Sequence, residues 1–165
     1  MANLPEANRA DVVSIDAIVK AAYDVISGPA GQERDWKRER SLFLPGARLI
    51  PTSRGAGTAA TGRELAPQLL DVDGYIERSR VYLEKEGFYE QEIARRTEQF
   101  GSIAHVWSTY ESRHTPEDAQ PFMRGINSIQ LFFDGRRWWI VSIYWQHETA
   151  TDPLPAKYLQ PESVR

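Results

Sequence analysis

The sequence contains no cysteine, which excludes a disulfide framework, a thiolate nucleophile and a zinc site built from thiolates. It also lacks an excess of positive charge, because its 165 residues include 20 Lys and Arg against 23 Asp and Glu. A net charge of -3 gives no footprint for nucleic acid or an anionic membrane. No apolar run approaches the roughly 18 residues of a membrane-spanning helix, and residues 1–10 lack the apolar core of a signal peptide. These absences predict a cytoplasmic protein without nucleic-acid or membrane partners.

The composition nevertheless provides the material for one folded domain. Hydrophobic residues make up 41% of the chain and aromatic residues 11%, which is typical of a globular protein and not of a disordered one. The length is that of a single domain. We expect an N-terminal extension over residues 1–13, one domain over 14–148, and a proline-containing tail over 149–165.

The first half of the chain carries helical patterns. In the first of them, apolar residues recur at the spacing of one helix face, and Tyr23 belongs to this stripe whereas Asp24 does not. Three helices are predicted, each between a capping residue and a stop. The caps are Ser14, Asp35 and Asp73, and the stops are Ser27-Gly28-Pro29, Pro45-Gly46 and Gly87. The segment Thr52–Gly62 is small, glycine-rich and without periodicity, which predicts a mobile loop.

After the third helix the pattern changes to the alternation that is typical of β-strands. The predicted strands are 88–100, 102–113, 125–134 and 136–148. Asp134 and Gly135 form a strong two-residue turn signal between the last two strands. Asn127 and Ile129 share a largely apolar face of this hairpin while the opposite face is mixed, as in a sheet with helices on one side. Helices followed by antiparallel strands predict an α+β domain.

This order of elements resembles a known superfamily. A capped first helix, a second helix that ends in SLFLPGARLI, a third helix, and strands that finish in DGRRWWIVSIYW are similar to the nuclear-transport-factor-2-like proteins. The nearest branch contains the SnoaL-like proteins, ketosteroid isomerases and scytalone dehydratases, and the resemblance covers residues 12–148. It implies a cone-shaped domain in which a curved, mostly antiparallel sheet wraps around three N-terminal helices in a cystatin-like topology. It also implies an apolar pocket at the wide end and a homodimer formed through the outer sheet face.

The resemblance also implies roles for individual residues. Tyr23 falls where the isomerases keep an oxyanion-hole tyrosine, whereas the position of their general base falls near residues 51–52, neither of which is a carboxylate. Relative to the dehydratases, His105 aligns with a catalytic histidine, Glu92 falls near a second one, and Asn127 lies close to a polar asparagine. The resemblance therefore favours a dehydratase-like pocket over an isomerase site.

His105 is the main candidate for catalysis, because it alternates in phase with Trp107 and because imidazole exchanges protons near neutral pH. In this interpretation Tyr23 donates to a developing negative charge. Glu92, which shares a strand face with Glu90, positions His105. Ligand binding is assigned to four further residues: Asn127 as the orienting group, Trp107 and Trp145 as walls, and His147 at the rim.

Structural alternatives stay open for these residues. His105 leaves the pocket if its strand has the opposite phase, and it is then a histidine of the core or of a dimer interface. Tyr23 alternatively packs as a buried ring, and the charged segment EQEIARRTEQ around Glu92 is typical of a solvated edge strand. No spacing supports a metal site among His105, His147 and Glu92.

The sequence thus predicts a domain that binds a small, largely apolar molecule in an internal pocket. If the protein is an enzyme, we expect a cofactor-free dehydratase, isomerase or cyclase, that is, a lyase or isomerase that uses general acid–base catalysis. The alternative is a non-catalytic ligand-binding or dimerisation module of the same fold.

Overall fold

The computed structural model describes residues 6–52 and 68–160. Within these ranges the elements are α1 (Arg9–Val12), α2 (Ile15–Ile26), α3 (Trp36–Leu42), β1 (Phe43–Pro51), α4 (Val72–Glu86), β2 (Tyr89–Phe100), β3 (Ile103–Arg113), β4 (Met123–Phe133), β5 (Trp138–His147) and a 3-10 turn (Ala156–Tyr158). The predicted glycine-rich loop lies almost entirely outside the described residues. None of the described helices is long and apolar enough to cross a membrane.

The strands form one sheet in the order β1-β5-β4-β3-β2. β1 runs parallel to β5, whereas the other neighbouring strands are antiparallel. The sheet is curved and does not close on itself. These features confirm the predicted α+β class with a mostly antiparallel sheet and N-terminal helices.

α2 packs its apolar face against the inner side of the sheet. Its N-cap, Ser14, accepts a hydrogen bond from the Ala17 N–H at 3.1 Å, as the capping pattern predicts. Ile18 is fully buried and Tyr23 is only 5% exposed, while Asp24 faces outward and pairs with a lysine one turn away. Helical periodicity alone therefore places Tyr23 correctly towards the core.

α4 begins two residues earlier than the sequence predicts. Asp71 is the cap, because its carboxylate accepts from the Gly74 N–H at 2.8 Å. Asp73 lies inside the first turn and instead pairs with Arg40 of α3 at 2.7 Å. At the other end Gly87 has a φ of 71°, a conformation that favours glycine, and it stops the helix as predicted.

The two faces of β3 meet different surroundings. Ser108 lies opposite Asn127 in the β3–β4 ladder and its hydroxyl oxygen is 2.7 Å from that of Tyr23 in α2, so this face is the inner one. Trp107 has the opposite phase, and its ring packs against Tyr158, with 5.9 Å between the ring centroids. His105, Trp107 and Thr109, which alternate along β3, therefore face away from the helices.

The C-terminal segment crosses the outer face of the sheet. Thr109 donates its hydroxyl to the Tyr158 carbonyl at 2.7 Å, and Arg96 donates to the Lys157 carbonyl at 2.6 Å. The segment contains a tight turn, in which the backbones of Thr149 and Asp152 are hydrogen-bonded to each other, and a 3-10 turn at Ala156–Tyr158. The chain thus covers part of its own outer sheet surface over β2 and β3.

Candidate functional site

A cavity opens between the inner face of the sheet and the helices α2, α3 and α4. Its volume is about 1120 Å³, which is sufficient for a small organic molecule. Apolar side chains of the sheet and the helices contribute to its wall, among them Phe43, Leu49, Phe88 and Ile143. Trp145 of β5 also lines it and makes an edge-on contact with Tyr75 of α4, with 6.0 Å between the ring centroids.

Glu90 of β2 projects into this cavity. Ser112, its partner across the β2–β3 ladder, donates its hydroxyl to Glu90 Oε2 at 2.9 Å. Burial raises the pKa of the Glu90 carboxyl to about 7, although hydrogen bonds from Ser112 and Asn127 act in the opposite direction. A carboxyl group with this pKa is able to accept a proton and return it near neutral pH. Glu90 is therefore a titratable carboxyl group on the wall of a cavity with both apolar and polar side chains.

A directed chain of hydrogen bonds runs beside Glu90. Asn127 Nδ2 donates to the Tyr23 hydroxyl at 3.0 Å, and the Tyr23 and Ser108 oxygens lie 2.7 Å apart. Ser108 in turn donates to the Glu92 carboxylate. Since a hydroxyl carries one hydrogen, Ser108 has to accept from Tyr23. Burial raises the pKa of Tyr23, so the phenol keeps its proton and acts as a donor.

Glu92 ends this chain as one half of an ion pair. Arg95 Nη2 lies 2.7 Å from Glu92 Oε1, and Arg95 also pairs with Asp16 in the first turn of α2. A β-bulge between Glu92 and Ala94 shifts the ladder, which brings Arg95 opposite Ser108 on the inner face. The ion pair thereby fixes the direction of the Ser108 hydroxyl.

Glu39 of α3 is a second carboxyl group on the cavity wall. It is only 2% exposed, and its Oε2 has no hydrogen-bond partner among the described residues. The arginines on either side of it are engaged elsewhere, Arg38 with Asp11 at 2.8 Å and Arg40 with Asp73 at 2.7 Å. Burial raises the pKa of Glu39 to about 8, although the charges of both arginines lower it. The carboxyl is therefore mostly protonated at neutral pH.

Four residues that the sequence assigns to the site line the cavity: Tyr23, Asn127, Trp145 and His147. Asn127 and Trp145 are directly opposite each other in the β4–β5 ladder. Glu92 is connected to Tyr23 through Ser108. The structure thus brings these five residues to one side of the sheet, and their roles in binding or catalysis stay predictions.

His105 and Trp107 do not join them. Both lie on the outer face of β3, where His105 Nε2 is 3.1 Å from the Ser128 hydroxyl and the two rings meet edge-on at 6.0 Å. The expectation that they face the hollow is therefore wrong. Glu92 also does not position His105, because its partner in the ladder is Tyr110, whereas His105 lies opposite Glu98.

The phase of β3 is ambiguous in the sequence because both of its faces carry large apolar side chains. The large apolar ring of Trp107 suggests that its side of β3 faces the core, but this ring packs against Tyr158 of the C-terminal segment. The inner face contains the small residues Ala104 and Ser108, which leave room for the helices and for the cavity. Only the long-range contact between the tail and the sheet explains why the indole lies outside.

Two carboxyl groups of the cavity, Glu90 and Glu39, are absent from the predicted site. The signal for Glu90 is its strand face, which it shares with Glu92, but the charged residues around it favour an exposed edge. The signal for Glu39 is helical spacing, which places either Glu39 or Arg40 on the face of Trp36. Within residues 6–52 and 68–160, no group of three or more histidine, aspartate or glutamate side chains is arranged to hold a metal ion.

No family model and no curated protein matches this sequence. Solved structures do match the fold. The chain aligns with a nuclear-transport-factor-2-like protein of unknown function from Silicibacter pomeroyi at 14% identity and a TM-score of 0.54, over 82% of this chain and 94% of that one. It aligns with LinA at 10% identity and a TM-score of 0.60, over 87% and 89% of the two chains.

A ketosteroid-isomerase-like protein from Parabacteroides distasonis aligns at 9% identity and a TM-score of 0.56, over 91% of this chain and 100% of that one. Identities this low establish a common architecture and leave the chemistry to be argued from the site. The chain therefore has the nuclear-transport-factor-2-like fold, as the resemblance in its sequence predicts.

Proposed function

We propose that this protein binds a small, largely apolar molecule in the cavity and moves a proton on it without a cofactor, as a lyase or an isomerase does. The observation that supports this proposal concerns one side chain, that of Glu90. Glu90 presents a carboxyl with a pKa of about 7 to a cavity with many apolar side chains in its wall. A structural neighbour that is ketosteroid-isomerase-like supports the same class of reaction.

Glu90 acts as the general base in this proposal. Its carboxylate removes a proton from the carbon next to a carbonyl group of the ligand, and the electron pair of the broken C–H bond moves to the carbonyl oxygen as an enolate forms. Return of the proton to another carbon is an isomerisation. In a dehydration the enolate electrons return to form a C=C bond, the C–O bond at the β carbon breaks, and the hydroxyl group leaves as water with the proton that Glu90 holds. Both outcomes need a base that is ionised in part at neutral pH, as a group with a pKa of about 7 is.

Tyr23 and Asn127 supply hydrogen-bond donors on the same wall. The Tyr23 hydroxyl directs its hydrogen to Ser108, and an enolate oxygen is a stronger acceptor than a serine hydroxyl. A ligand oxygen beside Tyr23 therefore draws this hydrogen more strongly as negative charge develops on it. Glu92 is a positioning residue, because its ion pair with Arg95 holds Ser108.

The test is proton exchange on β-tetralone, a bicyclic ketone with acidic protons beside its carbonyl group. Exchange into D₂O is followed by proton NMR, and binding is followed by titration of the same probe. We expect Glu90→Gln to bind β-tetralone with little change and to lose about a hundredfold or more in exchange rate. Tyr23→Phe is expected to lower the rate by about a hundredfold, since one donor to the developing oxyanion is removed.

Glu111→Gln is the matched control for these variants. Glu111 also lines the cavity, but it is ion-paired with Arg113. The Glu111→Gln variant is expected to exchange the protons of β-tetralone as fast as the unmodified protein does. Exchange that is as fast in Glu90→Gln as in the unmodified protein would contradict the proposal.

The second candidate is a non-catalytic binding or dimerisation module. One observation favours it: the Tyr23 hydroxyl already has both a donor, Asn127, and an acceptor, Ser108, within the protein. Under this hypothesis β-tetralone binds without any catalysed exchange, and Tyr23→Phe changes only the stability. A homodimer through the outer sheet face and a cytoplasmic location remain predictions, which sedimentation and cell fractionation would test.

A further inference from the structure

The buried carboxyl of Glu39 has no task in the chemistry proposed above. It is 2% exposed and lines the cavity, yet its Oε2 has no hydrogen-bond partner in the described part of the chain. Burial of an unpaired polar group destabilises a fold. Such groups are rare in folded proteins and each requires an explanation. A bound molecule that supplies the missing partner is one such explanation.

Glu39 and Glu90 stand at different places in the same cavity. α3, which carries Glu39, leads directly into β1 at one edge of the sheet, whereas Glu90 belongs to β2 at the other edge. Tyr75 of α4 lines the same cavity. Burial raises its pKa, and the charges of Glu39 and Glu90 both add to this effect, so Tyr75 is close enough to interact with both carboxyls. A ligand that contacts Glu90 and passes Tyr75 therefore extends towards Glu39.

The charges of the cavity favour a ligand without negative charge. The described lining residues include no lysine, and their arginines are Arg78, Arg113 and Arg124. Arg113 pairs with Glu111, and Arg124 pairs with Glu148 at 2.6 Å, while Arg78 is exposed on α4. Among the described lining residues an anionic group would thus find only Arg78, an exposed side chain, without a carboxylate partner. A neutral carbonyl or ether oxygen, in contrast, is a suitable acceptor for a protonated carboxyl group.

We propose that Glu39 is a specificity-determining residue, which donates a hydrogen bond from its carboxyl group to a carbonyl or ether oxygen at the end of the ligand remote from Glu90. The preferred ligand is then an uncharged, mostly apolar molecule that carries one oxygen function near each end. This inference rests on the proposed function, because it takes the ligand that Glu90 acts on and adds a second point of recognition.

The test compares two matched probes. The first is a methyl-substituted bicyclic enedione with one carbonyl on each ring, and the second is the corresponding enone that lacks the carbonyl remote from the double bond. The dissociation constants of both are measured by calorimetric titration with the intact protein. We expect the unmodified protein to prefer the enedione about fivefold, the effect of one neutral hydrogen bond.

Two variants of Glu39 separate its hydrogen bond from its size. Glu39→Met has a similar volume but no donor, and it is expected to lose the preference by weakening the enedione about fivefold without weakening the enone. Glu39→Gln keeps an N–H donor and is expected to retain the preference. Glu39→Met should also have a higher melting temperature, since the unpaired carboxyl is removed, which shows that the loss of preference does not come from misfolding.

An unmodified protein that binds both probes equally, or a Glu39→Met variant that keeps the preference, would overturn this inference. The proposed function has a separate readout, which is the exchange of the protons beside the carbonyl of the same probes. A preference that depends on Glu39 without any exchange supports the inference and refutes proton transfer by Glu90. Exchange that depends on Glu90, with equal binding of the two probes, supports proton transfer by Glu90 and refutes the inference about Glu39. If neither probe binds, both proposals are refuted.

Discussion

Two buried ionisable side chains that are close in sequence have opposite surroundings. Arg34 is 5% exposed, and its guanidinium is completely satisfied by the protein. It donates to the carbonyl oxygens of Ile26, Gly28, Pro29, Gln32 and Leu83. Glu39 is 2% exposed, and one of its carboxylate oxygens has no partner within the described residues.

The difference separates architecture from function. Arg34 lies where α2 and α4 end, and the last carbonyls of a helix have no partner within the helix itself. Its guanidinium supplies these missing donors, and Gly28 makes room for it, since a Cβ there would lie 2.7 Å from Arg34 Nη1. The fold completes the bonding of Arg34 without help, whereas in our proposal a ligand completes that of Glu39.

The largest expected effect is that of Arg34→Met, which breaks the satisfied side of the comparison. It leaves carbonyl groups at two helix ends buried without donors, and we expect the free energy of unfolding to fall by about 3–5 kcal/mol. Urea denaturation measures this change. Arg40→Met is the matched control, because Arg40 is partly exposed and Asp73 is its only ion-pair partner in residues 6–52 and 68–160, and it should cost less than about 1 kcal/mol. Similar losses in both variants would show that the carbonyl contacts are of no special importance.

A smaller effect is expected from pH, which acts on the unsatisfied side. Burial raises the pKa of Glu39 to about 8 and that of Glu90 to about 7, while both titrate near 4.3 in an unfolded chain. The folded protein therefore binds more protons than the unfolded chain between these values. Stability should fall as the pH rises from about 5 to about 8, by at most about 1.4 kcal/mol per pH unit for each group.

Unfolding free energies from urea titrations across this pH range test the prediction. Glu39→Gln and Glu90→Gln should each make the slope shallower. Glu111→Gln should leave it unchanged, because the effect of burial is outweighed by hydrogen bonds from Arg113 and Gln91 and by the charges of Arg113 and Arg124, which hold the pKa of Glu111 below its usual range. If the unfolding free energy changed with pH by the same amount in all three variants, Glu39 and Glu90 would not be the source of the pH dependence.

The smallest effect is expected from His105→Ala, which sharpens the contrast between the two faces of the sheet. The variant loses the contact with the Ser128 hydroxyl and the ring of Trp107, and the stability should fall by about 1 kcal/mol or less. The exchange rate of β-tetralone should not change, since the imidazole lies on the outer face. A hundredfold slower exchange in this variant would show that His105 takes part in catalysis and would contradict the assignment of Glu90 as the base.

Local signals were sufficient for the parts of the fold that depend on neighbouring residues. The cap at Ser14 and the apolar stripe predict α2 and the inward direction of Tyr23. The turn at Asp134 and Gly135 predicts the hairpin of β4 and β5, with Asn127 on the inner face. In each case the deciding interactions span a few residues along the chain.

The remaining parts of the site depend on contacts between distant segments. The outward direction of Trp107 follows from its contact with Tyr158 in the C-terminal segment, which alternation within β3 does not contain. Glu39 is buried without an ion-pair partner in the described part of the chain, because Arg38 and Arg40 are engaged with other carboxylates. Ion pairs of this kind between α3 and other elements have no signature in the spacing of the residues.

The C-terminal segment has a consequence for self-association. Because Thr109 and Arg96 tie its backbone to the outer surface of β2 and β3, a second chain that docks on this surface has to either displace the segment or enclose it. Displacement would give up these hydrogen bonds and the packing of Tyr158 on Trp107, whereas enclosure would add the segment to the buried interface. Docking by displacement would therefore be thermodynamically linked to the detachment of this segment.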